Sequence, residues 1–304
     1  MAREWWKMAS RKMRRARILA KGVGYVMEGM EGRVMLSGVT LITHGFGSGA
    51  DSWMRKMADD IAAREGIDAT IYKMIATDGG IDGAPITVSK PDRLTGPFPE
   101  LNSTDNPEIV LLLDWSAMSG QFAWKSDFLG HHRSTASVAK AVADKLVTDN
   151  LISGIPNLLS LPLHFIGHSR GGSLVAELAK ILGQRQILID QVTTLDPHPV
   201  NGIKEPLGVT TNWFDTEPAH WSNIEFFDNY WRDDDRFLHP LDFVGQIVPQ
   251  TYSVELNESA LDAPGGPDRW GILSIGDPGY WLEHSDVHLW YHGTIKPNGV
   301  VSDG

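Results

Sequence analysis

The stretch LHFIGHSRGGSLVAELAKILG, Leu163 to Gly183, changes its hydrophobic period at its centre. Ahead of Gly167 stands a short apolar run with aromatic and β-branched members, Leu163, Phe165 and Ile166, the pattern of a buried strand. Behind it, Leu174, Val175, Leu178, Ile181 and Leu182 recur at the spacing of one helical face. The junction, Gly167-His168-Ser169-Arg170-Gly171, has the form G-x-S-x-G, in which glycines remove the Cβ atoms that would clash as the chain reverses around a serine. This predicts strand, sharp turn and helix, with Ser169 exposed and strained at the apex. The helix aims its N-terminal N–H groups and partial positive charge at any anion formed there.

Outward from this turn, the chain repeats the alternation of strand and helix. Val39 to Thr43 (VTLIT) is a continuous apolar strand, as in a parallel sheet buried on both faces, and it ends in His44-Gly45-Phe46-Gly47. A helix is expected over Ser52 to Arg64, then a strand over Ala69 to Ala76. Residues 77–107, rich in Gly, Pro, Asp and Asn, form a surface excursion with one weak β stretch, Ile86 to Ser89. Glu108 to Ser116 (EIVLLLDWS) is another buried strand, and Ser134 to Val147 a helix. Between them, Met118, Phe122, Trp124, Phe128 and Leu129 are apolar enough for a lid or pocket wall, or for packing beneath the helix. Past the serine helix, Gln191 to Leu195 reads as a strand leading to Asp196-Pro197-His198-Pro199, and Asn223 to Tyr230 as a strand carrying Asp228 near its end. Prolines break up residues 233–285, and the last informative segment is Glu283 to Ile295, EHSDVHLWYHGTI.

With 304 residues, 42% of them hydrophobic, the chain can bury the core of one α/β domain with a mostly parallel sheet flanked by helices. Its organisation is expected to be a basic leader over residues 1–38 and a catalytic domain over 39–304. Residues 1–33 hold nine Lys/Arg against three Asp/Glu, so the rest carries 18 basic against 35 acidic residues, which argues against nucleic-acid binding through bulk charge. The leader reads as a disordered head or as a segment for an anionic membrane face, giving transient lipid-surface contact. Its Ile18 to Met27 run, interrupted by Lys21 and two glycines, is a poor secretory h-region. The absence of cysteine excludes disulfides, thiolate metal sites and a cysteine nucleophile. Asp233-Asp234-Asp235 reads as a solvated acidic turn, since calcium sites space their ligands and add carbonyls, so no metal or other cofactor is expected.

A serine nucleophile needs a base, an acid to orient that base, and donors for the oxyanion. Ser169, then Asp196 or Asp228, then His288 follow in that order, with His284 and His292 four residues to either side of His288 and on the same face if the segment is helical. Backbone N–H groups of Phe46 and Arg170 are placed to serve as the oxyanion donors. Three segments carry a family resemblance. Ile166 to Gly172 (IGHSRGG) resembles the nucleophile turn of lipases, Thr193 to Pro199 (TTLDPHP) the segment that holds the acid in pancreatic-type lipases, and Val287 to Gly293 (VHLWYHG) the catalytic-histidine segment of some filamentous-fungal lipases. The chain thus resembles α/β-hydrolases of the lipase and esterase kind from about Val39 to Ile295. The resemblance implies a compact core without the two leading strands of larger members, and a serine carboxylic-ester hydrolase with Ser169, His288 and Asp196 as triad and Asp228 as the alternative acid. It implies a small-molecule or lipid ester substrate. Thioesterase, amidase or peptidase chemistry on the same scaffold, and a surface-binding module without chemistry, are the alternatives. Glu28 to Gly38 (EGMEGRVMLSG) loosely resembles the LEPR-type motif of certain exported bacterial proteins, which points to a secreted or cell-surface setting.

Overall fold

A computed structural model describes residues 38–63, 69–101, 107–120, 131–202, 212–232, 245–256 and 279–295. The leader up to residue 37, the residues Phe122, Trp124, Phe128 and Leu129, and Asp233-Asp234-Asp235 lie outside the described residues. Among those described, nine strands form one sheet: β1 (Val39–Thr43), β2 (Ala69–Thr77), β3 (Thr87–Val88), β4 (Asp92–Thr95), β5 (Glu108–Asp114), β6 (Leu163–His168), β7 (Ile189–Leu195), β8 (Ile224–Trp231) and β9 (Tyr252–Glu255). Their order across the sheet is β3-β2-β5-β1-β6-β7-β8-β9, with β4 also paired to β2. From β2 to β9 each neighbouring pair is parallel, while β3 and β4 run antiparallel to β2. The helices are α1 (Trp53–Ala62), α2 (Thr135–Leu146), α3 (Arg170–Gln184) and α4 (Gly279–Ile295).

Because its strands are covered on both faces, the sheet needs apolar residues at consecutive positions, as in EIVLLLD of β5. Ile109, Leu111 and Leu113 join one core with Val138 and Val142 of α2 and Leu174 and Leu178 of α3. Val110 and Leu112 join the other with Met54, Met57 and Ile61 of α1 and Val287, Tyr291 and Ile295 of α4. Each such side chain contributes about 2 kcal/mol of burial free energy. The register brings the strand ends into line: Thr43 lies beside Gly167, His168 beside Leu195, and Leu195 beside Tyr230. The residues that follow, among them His44, Ser169 and Asp196, therefore share one edge of the sheet, where ligands bind in open parallel sheets.

Two expectations change. The expected irregular region 233–285 contributes β9, a four-residue strand continuing the parallel sheet beyond β8. Strand β8 runs on to Trp231, so Asp228 lies inside it rather than at its tip, opposite Thr193.

Candidate active site

Ser169 separates β6 from α3 with φ 56° and ψ −125°, a conformation that side chains other than glycine rarely adopt. Its N–H donates to Leu195 O at 2.9 Å, and its carbonyl accepts from Gly172 N at 2.9 Å and His198 N at 3.2 Å. These bonds hold the strained turn on the tip of β7. A Cβ on Gly167 would run into the Gly171 carbonyl, and one on Gly45 would lie 2.5 Å from Ser169 Cβ and 2.8 Å from its Oγ. So close an approach makes Ser169 buried, with 5% of its surface open, and corrects the expectation of an exposed apex.

Asp196 follows β7 with φ 45° and is fully buried. Its Oδ2 receives His284 Nδ1 at 2.5 Å, while Arg232 donates its backbone N–H to Oδ1 at 2.9 Å and its Nε to Oδ2 at 3.3 Å. Burial raises the Asp196 pKa, and the Arg232 guanidinium and backbone N–H oppose that rise. The His284 imidazole is pushed well below its ordinary value, first by burial and then by the charges of Arg232 and His198. A neutral ring donating Nδ1–H to a carboxylate carries its lone pair on Nε2, the tautomer that a general base requires.

The histidine favoured by the sequence occupies another place. His288 stacks on Trp53 of α1, with ring centroids 4.2 Å apart, and meets His168 edge-on at 4.8 Å. The imidazole that α4 brings to Asp196 is His284, one turn earlier than the expected His288. The third histidine of that face, His292, bonds Asp60 of α1 at 2.8 Å. His168 donates Nε2–H to the His284 carbonyl at 2.8 Å and lies 4.6 Å from its ring, placing α4 beside the serine turn. Burial, with His284 nearby, pushes the His168 pKa down to about 3. Asp228, the alternative acid, accepts Thr193 Oγ1 at 2.7 Å and Gln191 Nε2 at 3.2 Å within the sheet, and it is Asp196 that Arg232 engages.

At the end of β1, His44 Nδ1–H donates to Gly45 O at 2.8 Å, and Nε2 accepts Trp115 N–H at 3.2 Å. Asp114 contacts the same ring at 3.4 Å, and Lys73 joins Asp114 at 3.1 Å and Asp51 at 2.8 Å. Burial works against ionisation of Asp114, but the neighbouring His44 and the hydrogen bonds from Ser116 prevail and hold its pKa well below the usual carboxylate range. These contacts brace the loop holding Phe46, whose ring stacks on Trp213 at 5.8 Å. Gly47 N–H donates to Gly120 O at 3.0 Å, fastening the other end of that loop. The Gly45 backbone, at the start of the Phe46 loop, thus lies close against both Ser169 Oγ and the Arg170 N–H.

Local sequence does not mark Arg232, which grips Asp196, or Asp215, which pairs with the buried Arg170. Asp215 lies in a stretch without periodicity or motif, and nothing local marks it. His284 was within reach through its four-residue spacing from His288. Among the described residues, no group of three ligand-type side chains is placed to hold a metal ion, and no helix is long and apolar enough to cross a membrane.

No protein-family model matches the chain, and no curated protein matches it. Among solved structures it is similar to the lin2722 gene product of Listeria innocua, with 12% identity and a TM-score of 0.35 over 65% of this chain and 70% of that one. It is also similar to RedJ, a thioesterase of the prodiginine biosynthetic pathway in Streptomyces coelicolor, with 11% identity and a TM-score of 0.33 over 73% and 75% of the two chains. The chain's own geometry names the architecture. A mostly parallel sheet flanked by helices, with β6 near its centre and Ser169 strained on the strand-to-helix turn that follows it, is the α/β-hydrolase fold, and this chain adopts it.

Proposed function

We propose that the protein is a serine hydrolase of carboxylic esters. Ser169 Oγ attacks the acyl carbon while His284 Nε2 takes its proton, and Asp196 holds the ring and balances the imidazolium. The oxyanion accepts hydrogen bonds from the N–H groups of Phe46 and Arg170, each worth about 3 kcal/mol in the transition state. Collapse of the tetrahedral intermediate expels the alcohol, which takes the proton from His284, and water then cleaves the acyl-enzyme by the same steps. The observation that carries this reading is the 2.5 Å contact of His284 with Asp196 at the strand edge where Ser169 stands. The rings of Phe46 and Trp213 beside the oxyanion loop favour an acyl group of apolar character.

The test is turnover of p-nitrophenyl acyl esters together with labelling by a fluorophosphonate probe. The wild type should do both, and Ser169→Ala neither, while keeping its circular dichroism and Tm. Equal turnover by Ser169→Ala would sink the proposal. The same three groups can cleave a thioester, so an acyl thioester of matched chain length belongs in the panel.

A further inference from the structure

Arg170 and Asp215 form an ion pair in which neither side chain has exposed surface. The carboxylate is gripped at both oxygens, Nε to Oδ2 at 2.6 Å and Nη2 to Oδ1 at 2.7 Å. The guanidinium also donates to Ser119 O and to Arg133 O, each at 2.7 Å, and lies over the rings of Trp115 at 4.9 Å and Trp213 at 4.5 Å. Asp215 in turn accepts the N–H of Thr135, first residue of α2, at 2.9 Å and that of Val200 at 3.0 Å. One buried pair thus binds the serine turn to the segments that hold Trp115, Ser119, Arg133 and Val200.

Stability alone is a weak reason for such a pair, because desolvating two charges offsets much of their attraction and apolar residues of equal volume often serve as well. Directional bonds to four backbone groups are what an apolar pair could not supply. Those bonds converge on the two oxyanion donors. Arg170 contributes its own N–H. The Phe46 loop is reached through Trp213, against which Phe46 stacks, and through Ser119 and Gly120, since Gly47 N–H donates to Gly120 O.

We infer that Asp215 is a positioning residue for the oxyanion pocket: acting through the Arg170 side chain, it holds the Arg170 N–H and the Phe46 loop at the separation that a tetrahedral oxyanion requires. This rests on the serine-hydrolase reading above. It goes beyond that reading by assigning a task to a carboxylate outside the triad.

The experiment compares wild type, Asp215→Asn, Asp215→Glu and the paired variant Arg170→Met with Asp215→Leu. For each, kcat and KM are measured per active site titrated with fluorophosphonate, along with Tm and the Ki of an acyl trifluoromethyl ketone, which forms a tetrahedral adduct on the serine. Asp215→Asn should lower kcat by about 100-fold, the scale of a slightly misplaced catalytic group, with KM held within roughly threefold. Affinity for the ketone should fall by the same factor as kcat, and Asp215→Glu should recover part of both. The paired apolar variant should regain Tm without regaining kcat, and it carries the test if Asp215→Asn does not fold. Wild-type kcat per titrated site and unchanged ketone affinity in either variant would overturn the inference while leaving the hydrolase reading intact. A wild type inert to esters, thioesters and fluorophosphonate would remove both.

Discussion

An imidazole accepts a proton only while it is neutral, and burial keeps His284 in that state by lowering its pKa well below 6.5. The acid limb of kcat/KM should therefore fall below the ordinary histidine range: activity is lost as pH drops through that lowered pKa, where the ring becomes protonated. A profile of log kcat/KM against pH with its acid midpoint at or above 6.5 would contradict this. Replacing His284 with Ala should cost about 10²- to 10⁴-fold in kcat, the contribution of a positioned general base. His288→Ala should leave the chemistry close to wild type and lower Tm, because Trp53 loses the ring stacked on it. A reversed pattern of kcat losses would restore the assignment that the VHLWYHG resemblance implies. Gly45→Ala places a methyl 2.5 Å from Ser169 Cβ and 3.0 Å from Arg170 N, so it should lower kcat by about 100-fold through displacement of the oxyanion loop. Rate and Tm measured together separate that outcome from unfolding.

Helix α4 reaches the site through three histidines at four-residue intervals, each fixed to a different group: His284 to Asp196 after β7, His288 to Trp53, and His292 to Asp60. Since Trp53 opens α1 and Asp60 lies in its last turn, two of these contacts fix the rotation of α4 against α1 and so determine which ring faces Asp196. Asp60→Ala should destabilise the protein by about 1 kcal/mol through the broken, partly buried bond. It should also reduce kcat, because the helix that holds the base loses an anchor. Chemical denaturation and ester turnover read the two effects, and loss of stability with undiminished kcat would show that the His292 contact leaves the position of His284 untouched. The spacing of the histidines was legible in the sequence because a helix repeats by local geometry. The choice among them was not, because residues four apart share a face and only the neighbour across the interface tells them apart. The same reasoning covers Asp215, whose side-chain partners Thr135, Arg170 and Val200 lie 80, 45 and 15 residues from it along the chain.

Across the molecule, two cores flank a sheet along whose C-terminal edge buried histidines are held neutral, and this makes stability depend on pH. The His168 pKa falls to about 3 from 6.5, so between those values the unfolded chain binds a proton that the folded chain does not. The contribution is full above 6.5 and is lost as pH falls toward 3, by up to about 1.4 kcal/mol per pH unit. Unfolding free energy should decline below that threshold, and His168→Asn should show a shallower decline, measured by urea denaturation across the range. Equal slopes for the two proteins would refute the assignment. The sequence by itself determined the βαβ rhythm, the strained turn at Ser169, the loop after His44 and the carboxylate of Asp196 just past a strand tip, because each rests on short-range periodicity or on residues within a few positions of a strand end. Tertiary structure alone decided that His284 rather than His288 meets Asp196, that Asp228 stays inside β8, and that Arg170 is gripped by Asp215. Those outcomes depend on the rotation of α4, the register of β8 on β7, and the meeting of distant loops at one sheet edge, none of which is encoded in local spacing.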